Sequence, residues 1–392
     1  MTRKLRVVRV VTASFIVPWH LGNMLKQMPR DFEVCVVGQG VSDHKDTFPG
    51  IKWVDIDINR KLSVVSDLVA LKQLCSFLIE YKPDVVHSVM HKAALLTAIA
   101  GYVCRVPVRI NTFTSQYWAT KRGLPRWIYY ASDWIVNRLN TLCLTDSPSQ
   151  SEYLKAYSIH RNGEPLPVLV RGSLSGVDLE RFDRERIAPE AGNLRVELGI
   201  GRADFVFTYL ARKNRSKGAF DVLHAFEMVR KTCANVWLLF VGPDESDGEL
   251  AALRVSRPDL FERVIDIDRA VTRHEIYLGA SDVLCLPSYM EGFGSVVIEA
   301  AAIGVPTIGS NIPGLVDSIS DGESGILFPA GDVNRLAEIM TDFARHPDKY
   351  AEMRAQAMTR VNAYFSADQI YGALKDCYQT LSSRTMRGES HR

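Results

Sequence analysis

From one end to the other, the chain alternates short, continuous apolar runs with stretches whose apolar residues recur at helical spacing, a rhythm that few folds accept. LRVVRVVTA, FEVCVVG, IKWVDI, DVVHSV, VRINTF, TLCLTD and PVLVRG are the strand candidates of the first half. A run that is apolar at nearly every position suits a strand buried on both faces, as in a parallel sheet. Between these runs, SVVSDLVALKQLCSFLIEY repeats at helical spacing through Val65, Leu68, Leu71, Cys75 and Leu78, and HKAALLTAIAGYV predicts a buried helix. The second half repeats the theme with FVFTYL, NVWLLFVG, RVIDID, DVLCLP, VPTIGS and GILFP. Strands that alternate with helices predict an α/β architecture of doubly wound parallel sheets. At 392 residues the chain exceeds one ordinary core. The expectation is two Rossmann-like domains facing across a cleft, joined by a polar, glycine-containing linker near residues 172–193.

Charge separates the halves. Residues 1–180 hold 22 Lys and Arg against 15 Asp and Glu, whereas the whole chain carries a net charge of only +2. A basic first half suits an anionic substrate or anionic lipid. Nucleic acid is disfavoured as a partner, because no concentrated basic stripe or nucleic-acid module is present. The seven cysteines are scattered without a CxxC pair or a Cys/His cluster, which predicts reduced thiols and a cytoplasmic location. Arg9 interrupts the N-terminal apolar run, which reads as a first strand rather than a signal peptide. AALLTAIAGYVC is about half the length that spans a bilayer. Any membrane association is therefore expected to be peripheral, on the inner face of the cell membrane.

The chemistry concentrates on two loops. Between Gly292 and Val316 the only charged residue before Val316 is Glu299, with Glu291 eight residues ahead of it. DVLCLP predicts a strand and SYMEG a loop, so Glu291 lies on a strand-to-helix connection. A helix over 294–303 then carries Glu299 inside it, with Gly304 and Pro306 as its stop. Glycines flank the start of this helix, where bare N–H groups and the positive end of the helix dipole can meet a phosphate. A carboxylate in so apolar a helix needs a hydrogen-bonding partner, either a ligand or a core Arg or Lys. The second loop, ARKNRSKG after FVFTYL, gathers Arg212, Lys213, Arg215 and Lys217. In a doubly wound sheet such loops share the ligand-binding edge, where two cations and two helix N-termini could hold a diphosphate. VVGQGVSD lacks the third glycine of a dinucleotide fingerprint, and no phosphate-loop motif of the GxxxxGK[ST] type occurs.

In these residues the sequence resembles a retaining glycosyltransferase of the GT-B fold, family 4 (glycosyl transferases group 1). EGFGSVVIE with the following AAAIGVPTIGSNIPGLVDSISDGESGILFPAGD is similar to the family's E-x7-E motif and the strand pattern behind it. ARKNRSKG is similar to its phosphate loop, and GVDLERF to the end of its N-terminal domain. The resemblance covers nearly the whole chain and is specific over 281–332. It implies an acceptor-binding domain over 1–180, a nucleotide-sugar domain over 181–362, and a C-terminal helical segment, 363–392, returning toward the first domain. It also implies that Arg212 and Lys217 hold the donor's diphosphate and that Glu299 takes the ribose hydroxyls. Glu291, with Gly292, Phe293, Gly294 and Ser295, would orient the donor sugar. No metal or other cofactor is implied. Two DxD strings, Asp55/Asp57 and Asp266/Asp268, sit at strand ends and read as chance or strand-end solvation.

The chain also departs from the family pattern. NTFTSQYW stands where relatives carry a His-Gly pair, leaving His87 and His20 as substitutes in principle, with Thr114, Lys121 and Arg122 as further acceptor-side candidates. The TFT-x-Q-x-W form with GSLSGVDLERF resembles a branch that builds bacterial surface polysaccharides, lipopolysaccharide included, often on a polyprenyl-diphosphate-linked sugar. The expected reaction moves a hexose or N-acetylhexosamine from a nucleotide diphosphate sugar, UDP-linked by preference, to a glycan or lipid-linked acceptor. A non-catalytic nucleotide-sugar-binding subunit and a GT-B epimerase are the alternatives. YWATKRGLPRWIYYASDW mixes six aromatics with Lys121, Arg122 and Arg126, as membrane interfaces favour. Its Trp127, Tyr130 and Trp134 share one helical face, which reads as packed on the sheet.

Overall fold

The computed structural model describes residues 3–59 and 63–387. Residues 1–2, 60–62 and 388–392, which fall within the expected 1–180 and 363–392 segments, lie outside the described residues. The apolar runs pair into two six-stranded sheets, parallel throughout. The first contains β1 (Arg6–Ala13), β2 (Glu33–Gln39), β3 (Ile51–Asp55), β4 (Val85–Val89), β5 (Val108–Phe113) and β6 (Leu142–Thr145), in the order β3-β2-β1-β4-β5-β6. The second contains β7 (Phe205–Leu210), β8 (Val236–Val241), β9 (Val264–Ile267), β10 (Val283–Leu286), β11 (Thr307–Ser310) and β12 (Gly325–Phe328), in the order β12-β11-β10-β7-β8-β9.

Alternate residues of each strand feed opposite cores, which is why the runs are apolar at every position. In the first sheet Val34 and Val36 pack with Met24, Leu25 and Met28 of the helix Gly22–Asp31. Cys35 and Val37 pack on the other face with Ala70, Leu74 and Leu78 of the helix Val64–Tyr81. In the second sheet Phe207 and Tyr209 meet Val222 and Phe226 of the helix Ala219–Arg230. Val206 faces the opposite side, with Leu239, Val241 and Ala191. Each sheet reverses its strand order once, between β1 and β4 and between β7 and β10. Loops leaving the carboxyl ends at such a reversal diverge to opposite faces and open the crevice where doubly wound sheets bind ligands.

Four segments differ from their expected form. PVLVRG makes no strand; Val168 and Val170 form only isolated bridges. Much of the expected linker is helical, as Arg184–Glu197, because Asp183 caps it by accepting from the Arg186 amide at 3.0 Å. In the helix Val64–Tyr81 only the first part of the expected stripe, Val65 and Leu68, faces solvent; Leu78 is buried with Ala70 and Leu74, and Leu71 and Cys75 pack partly against them. In the helix Gly123–Leu139, Trp127 and Trp134 face outward, 64% and 41% exposed, and Ser132, Asp133, Val136 and Asn137 face inward.

The chain forms two compact units. One takes in the chain up to Gly176 and again from Ala367; the other runs from Val177 to Ser366. The helix Ala367–Met386 adds Ile370, Tyr371, Leu374 and Tyr378 to the first unit's core. Asp31 anchors it, accepting from Tyr371 Oη at 2.6 Å and Lys375 Nζ at 2.7 Å.

Candidate active site

The second unit's strand reversal brings the two chemistry-bearing loops together. After β7 the chain turns through Asn214, whose Oδ1 accepts from the Lys217 amide at 3.0 Å and from Ser216 Oγ at 2.8 Å. Gly218 ends the turn at φ 69°, and a Cβ there would lie 2.0 Å from the carbonyl oxygen of Pro287, the first residue after β10. Only glycine permits so close an approach. The Tyr289 amide donates to Ser216 O at 2.9 Å, so the loops are bonded to each other.

Their side chains meet as a result. Lys217 Nζ lies 2.7 Å from Glu291 Oε1 and donates to Met290 O at 3.0 Å, while Ser288 Oγ donates to the same Glu291 oxygen at 2.9 Å. Both members of this ion pair are largely buried. Arg212 turns elsewhere, pairing with Glu245 at 2.8 Å where both are over a third exposed. Tyr209 braces the Arg212 backbone by donating to its carbonyl at 2.8 Å. Burial, reinforced by the Glu291 charge, holds the Tyr209 hydroxyl well above the usual tyrosine range, so it remains a donor.

The other two cations of the loop do not join. Lys213, 1% exposed, is consumed by Asp266 with Asp268 nearby, and Arg215 pairs with Glu249. The same contacts account for one DxD string. Asp266 is paired with both Lys213 and Arg254, and Asp268 accepts from the Asp244 amide at 2.7 Å. In the other string, Asp55 is engaged by Ser42 through its amide and hydroxyl.

Beyond Glu291 the helix Ser295–Ala302 begins at Gly294, at φ 79°, with no side-chain cap. Phe293 turns its ring into the core against Phe365, so only its backbone faces the helix start. Glu299 has a protein partner, but it is neither Arg nor Lys. His274 Nε2 lies 3.1 Å from Glu299 Oε2, and His274 Nδ1 lies 3.3 Å from Arg181 NH2. Because a guanidinium only donates, Nδ1 accepts and the Nε2 hydrogen goes to Glu299. Arg181 is held in turn by Glu275 at 2.7 Å and Thr272 O at 2.6 Å, and Phe182 packs on the imidazole with centroids 5.4 Å apart. The GVDLERF segment thus orients Glu299 through His274, a residue the sequence reading missed. A lone histidine in VTRHEIY gives no sign of a partner 25 positions away.

The first-unit candidates fare differently. His87 is sealed: Nε2 bonds Thr112 Oγ1 at 2.8 Å, and Nδ1 faces Tyr378 Oη at 2.7 Å and Arg9 at 3.0 Å. Burial, then the Arg9 charge, holds its pKa well below the usual histidine range. With both nitrogens engaged and no access to solvent, it is a core histidine rather than an acceptor contact. His20 is half-buried in the turn Val17–Leu21. Thr114 accepts from Gln150 Nε2 through its carbonyl at 2.9 Å, and Lys121 and Arg122 are exposed beside the helix Gly123–Leu139.

Comparison with known proteins agrees with this geometry. The family model described as "Glycosyl transferases group 1" matches residues 191–360, which hold both loops. The chain is 26% identical to the capsular polysaccharide biosynthesis glycosyltransferase CapM of Staphylococcus aureus, covering 96% of this chain and 97% of that one. It is 27% identical to the UDP-Gal:alpha-D-GlcNAc-diphosphoundecaprenol alpha-1,3-galactosyltransferase of Escherichia coli, over 72% and 73% of the two chains. The crystal structure of Anabaena HepE in complex with UDP and glucose superposes with a TM-score of 0.77 at 17% identity, covering 97% of this chain and 100% of that one. Residues 191–360 match the glycosyl transferases group 1 model, and the chain is a glycosyltransferase of the GT-B fold.

Proposed function

We propose that the protein is a retaining transferase of surface polysaccharide synthesis. It moves a hexose or N-acetylhexosamine from a UDP-sugar to a glycan or polyprenyl-diphosphate-linked acceptor, with the donor in the second unit and the acceptor in the first. The carrying observation is the Lys217–Glu291 pair at the strand reversal, beside an uncapped helix start and one turn ahead of Glu299. In this reading the diphosphate takes over Lys217, helped by Arg212, and the vacated Glu291 accepts from a hydroxyl of the donor sugar. Gly292, Phe293, Gly294 and Ser295 supply backbone N–H groups, and Glu299 accepts from the ribose diol. As the glycosidic bond breaks, charge grows on the leaving diphosphate, and fixed cations with a helix N-terminus stabilise it without reorganising. The reading is metal-independent, since Asp266 of the second unit's DxD string is already paired with two cations.

The relatives supply the substrate classes: the Escherichia coli protein's name gives a UDP-sugar and a diphosphoundecaprenol-linked acceptor, and the Anabaena structure holds UDP. Peripheral contact with an anionic membrane belongs to the same reading. Leu124, Trp127, Ile128, Trp134 and Ile135 are exposed on the helix Gly123–Leu139, whose sole acid, Asp133, points inward. Lys121, Arg122 and Arg138 flank that face. Among the described residues no helix is long and apolar enough to cross a membrane. A panel of UDP- and GDP-sugars, assayed with polyprenyl-diphosphate-linked N-acetylhexosamines and with chelator present, tests the reading. Transfer with anomeric retention from a UDP-sugar is expected. Nucleotide binding with no transfer to any acceptor, or transfer abolished by the chelator, would overturn it.

A further inference from the structure

The first unit has its own strand reversal, between β1 and β4, and this crevice has no assigned chemistry. β4 leaves it through Met90, and the next residue, His91, opens the helix His91–Val103. His91 Nδ1 lies 3.0 Å from Asp133 Oδ1 on the helix Gly123–Leu139. Asp133 is 3% exposed, and its other oxygen accepts from the indole of the fully buried Trp118 at 2.9 Å. The carboxylate therefore has a neighbour at each oxygen, a hydrogen-bonding indole at one and the imidazole at the other. With Nδ1 at 3.0 Å from a carboxylate, which only accepts, a hydrogen on Nδ1 is the favoured arrangement, and in that neutral ring Nε2 presents a lone pair. Tyr129, centroid 4.9 Å away and edge-on, and Tyr117 at 6.2 Å wall the ring.

The rest of the imidazole is uncommitted. His91 is 15% exposed, and among the described residues Nε2 has no hydrogen-bond partner and is not sealed off. Neighbouring Lys92 is paired with Asp67 at 2.7 Å. The loop after β1, at the same reversal, exposes Phe15 and Trp19, packed edge to face at 6.1 Å. Exposed aromatic rings and a polar group at a strand reversal are the lining that sugar-sized ligands use.

We propose that His91 is the acceptor-contacting histidine of this chain, its Nε2 accepting a hydrogen bond from a hydroxyl of the acceptor sugar, with Asp133 as the residue that positions it. The proposal rests on reading the first unit as the acceptor side. It accounts for what Asp133 does buried in a helix whose outward face is apolar: it sets the tautomer of a ring at the ligand edge.

Two amide substitutions separate this role from a merely structural one. An Asn amide reaches the position of Nδ1 and keeps the bond to Asp133, whereas a Gln amide reaches the position of Nε2 and keeps the bond to the acceptor. The probe is whichever polyprenyl-diphosphate sugar of the panel above turns over fastest. His91→Asn is expected to lower kcat/KM for that acceptor about 10- to 100-fold, while His91→Gln stays within about threefold of the wild type. Nucleotide affinity, read by thermal shift with UDP, is expected to be unchanged in both. A His91→Asn variant equal to or better than His91→Gln, whether both are impaired or both intact, overturns the proposal. Wild-type failure with every lipid-linked acceptor would instead sink the acceptor reading beneath it, and a change in UDP affinity would contradict the separation of donor and acceptor between the units.

Discussion

A lysine and a glutamate that neutralise each other can serve a third party only if that party replaces one of them. Lys217 and Glu291 are both largely enclosed, so deleting one leaves the other as an uncompensated charge. In the proposed reading, Lys217→Ala sets an unpaired carboxylate beside the diphosphate and removes a cation from the leaving group. Initial rates at saturating donor should fall about 100-fold, with donor KM changing less than about tenfold. Glu299→Ala should show the converse, donor KM rising about 10- to 100-fold with kcat little altered, because the proposed ribose contact would be made equally before and during bond breaking. Wild-type kinetics in both variants would remove these residues from the site. Glu291 and the basic loop were legible in the sequence because the strand and helix patterns put them on strand-to-helix connections, and Glu299 because it is the lone charge of the apolar helix that follows. His274 was not, since its partners Arg181 and Glu299 come from distant segments. Nor was the diversion of Lys213 to Asp266, because a run of cations does not reveal which of them the fold turns inward.

Among the elements, the helix Gly123–Leu139 shows how a correct period can still be read with the wrong face inward. Its spacing groups Trp127 with Trp134, but orientation was decided by polar groups that find partners inside. Asp133 meets Trp118 and His91, and Asn137 Nδ2 donates to His160 O at 3.0 Å. Atoms paired in this way cost little to bury, although Ser132 Oγ and Asn137 Oδ1 are buried without a hydrogen-bond partner, and the indoles are left outside. Two exposed tryptophans with basic flanks and no exposed acid are suited to the boundary of an anionic bilayer. The double variant Trp127→Glu/Trp134→Glu should lose binding to phosphatidylglycerol vesicles by about tenfold or more in co-sedimentation while retaining UDP affinity. Undiminished sedimentation, or dimerisation of the wild type through this face in place of vesicle binding, would rule the bilayer out. The helix Val64–Tyr81 repeats the lesson in part: Val65 and Leu68 of the expected stripe are exposed, while its Leu78 is buried beside Ala70 and Leu74.

At the scale of the whole molecule, the alternation of strands with helices was present in the sequence; the order of strands within each sheet was not, because it is set by pairing between distant segments, and the return of the last helix was implied only by the resemblance. His87 belongs to the contacts that hold this helix, bonding its Tyr378 as well as Thr112 of β5. Its folded pKa is depressed, by burial first and the Arg9 charge second, so below about pH 6.5 the unfolded chain binds a proton that the folded chain refuses. Its contribution to stability is therefore complete above that pH and is lost as pH falls, with a slope of up to about 1.4 kcal/mol per pH unit. Urea midpoints between pH 7.5 and 5.5 should decline more steeply for the wild type than for His87→Gln; equal slopes would remove His87 as the cause. The same helix has a consequence for how the molecule can be taken apart. Because the chain leaves the first unit after Gly176 and rejoins it at Ala367, the second unit is an insert, and its two ends are held side by side where Val177 bridges Ser366 and its amide donates to Phe365 O at 2.8 Å. Entry and exit at one point make residues 177–366 a cartridge. If the proposed division of donor and acceptor holds, exchanging it whole between relatives would carry its nucleotide-sugar preference with it and leave the host's acceptor chemistry in place.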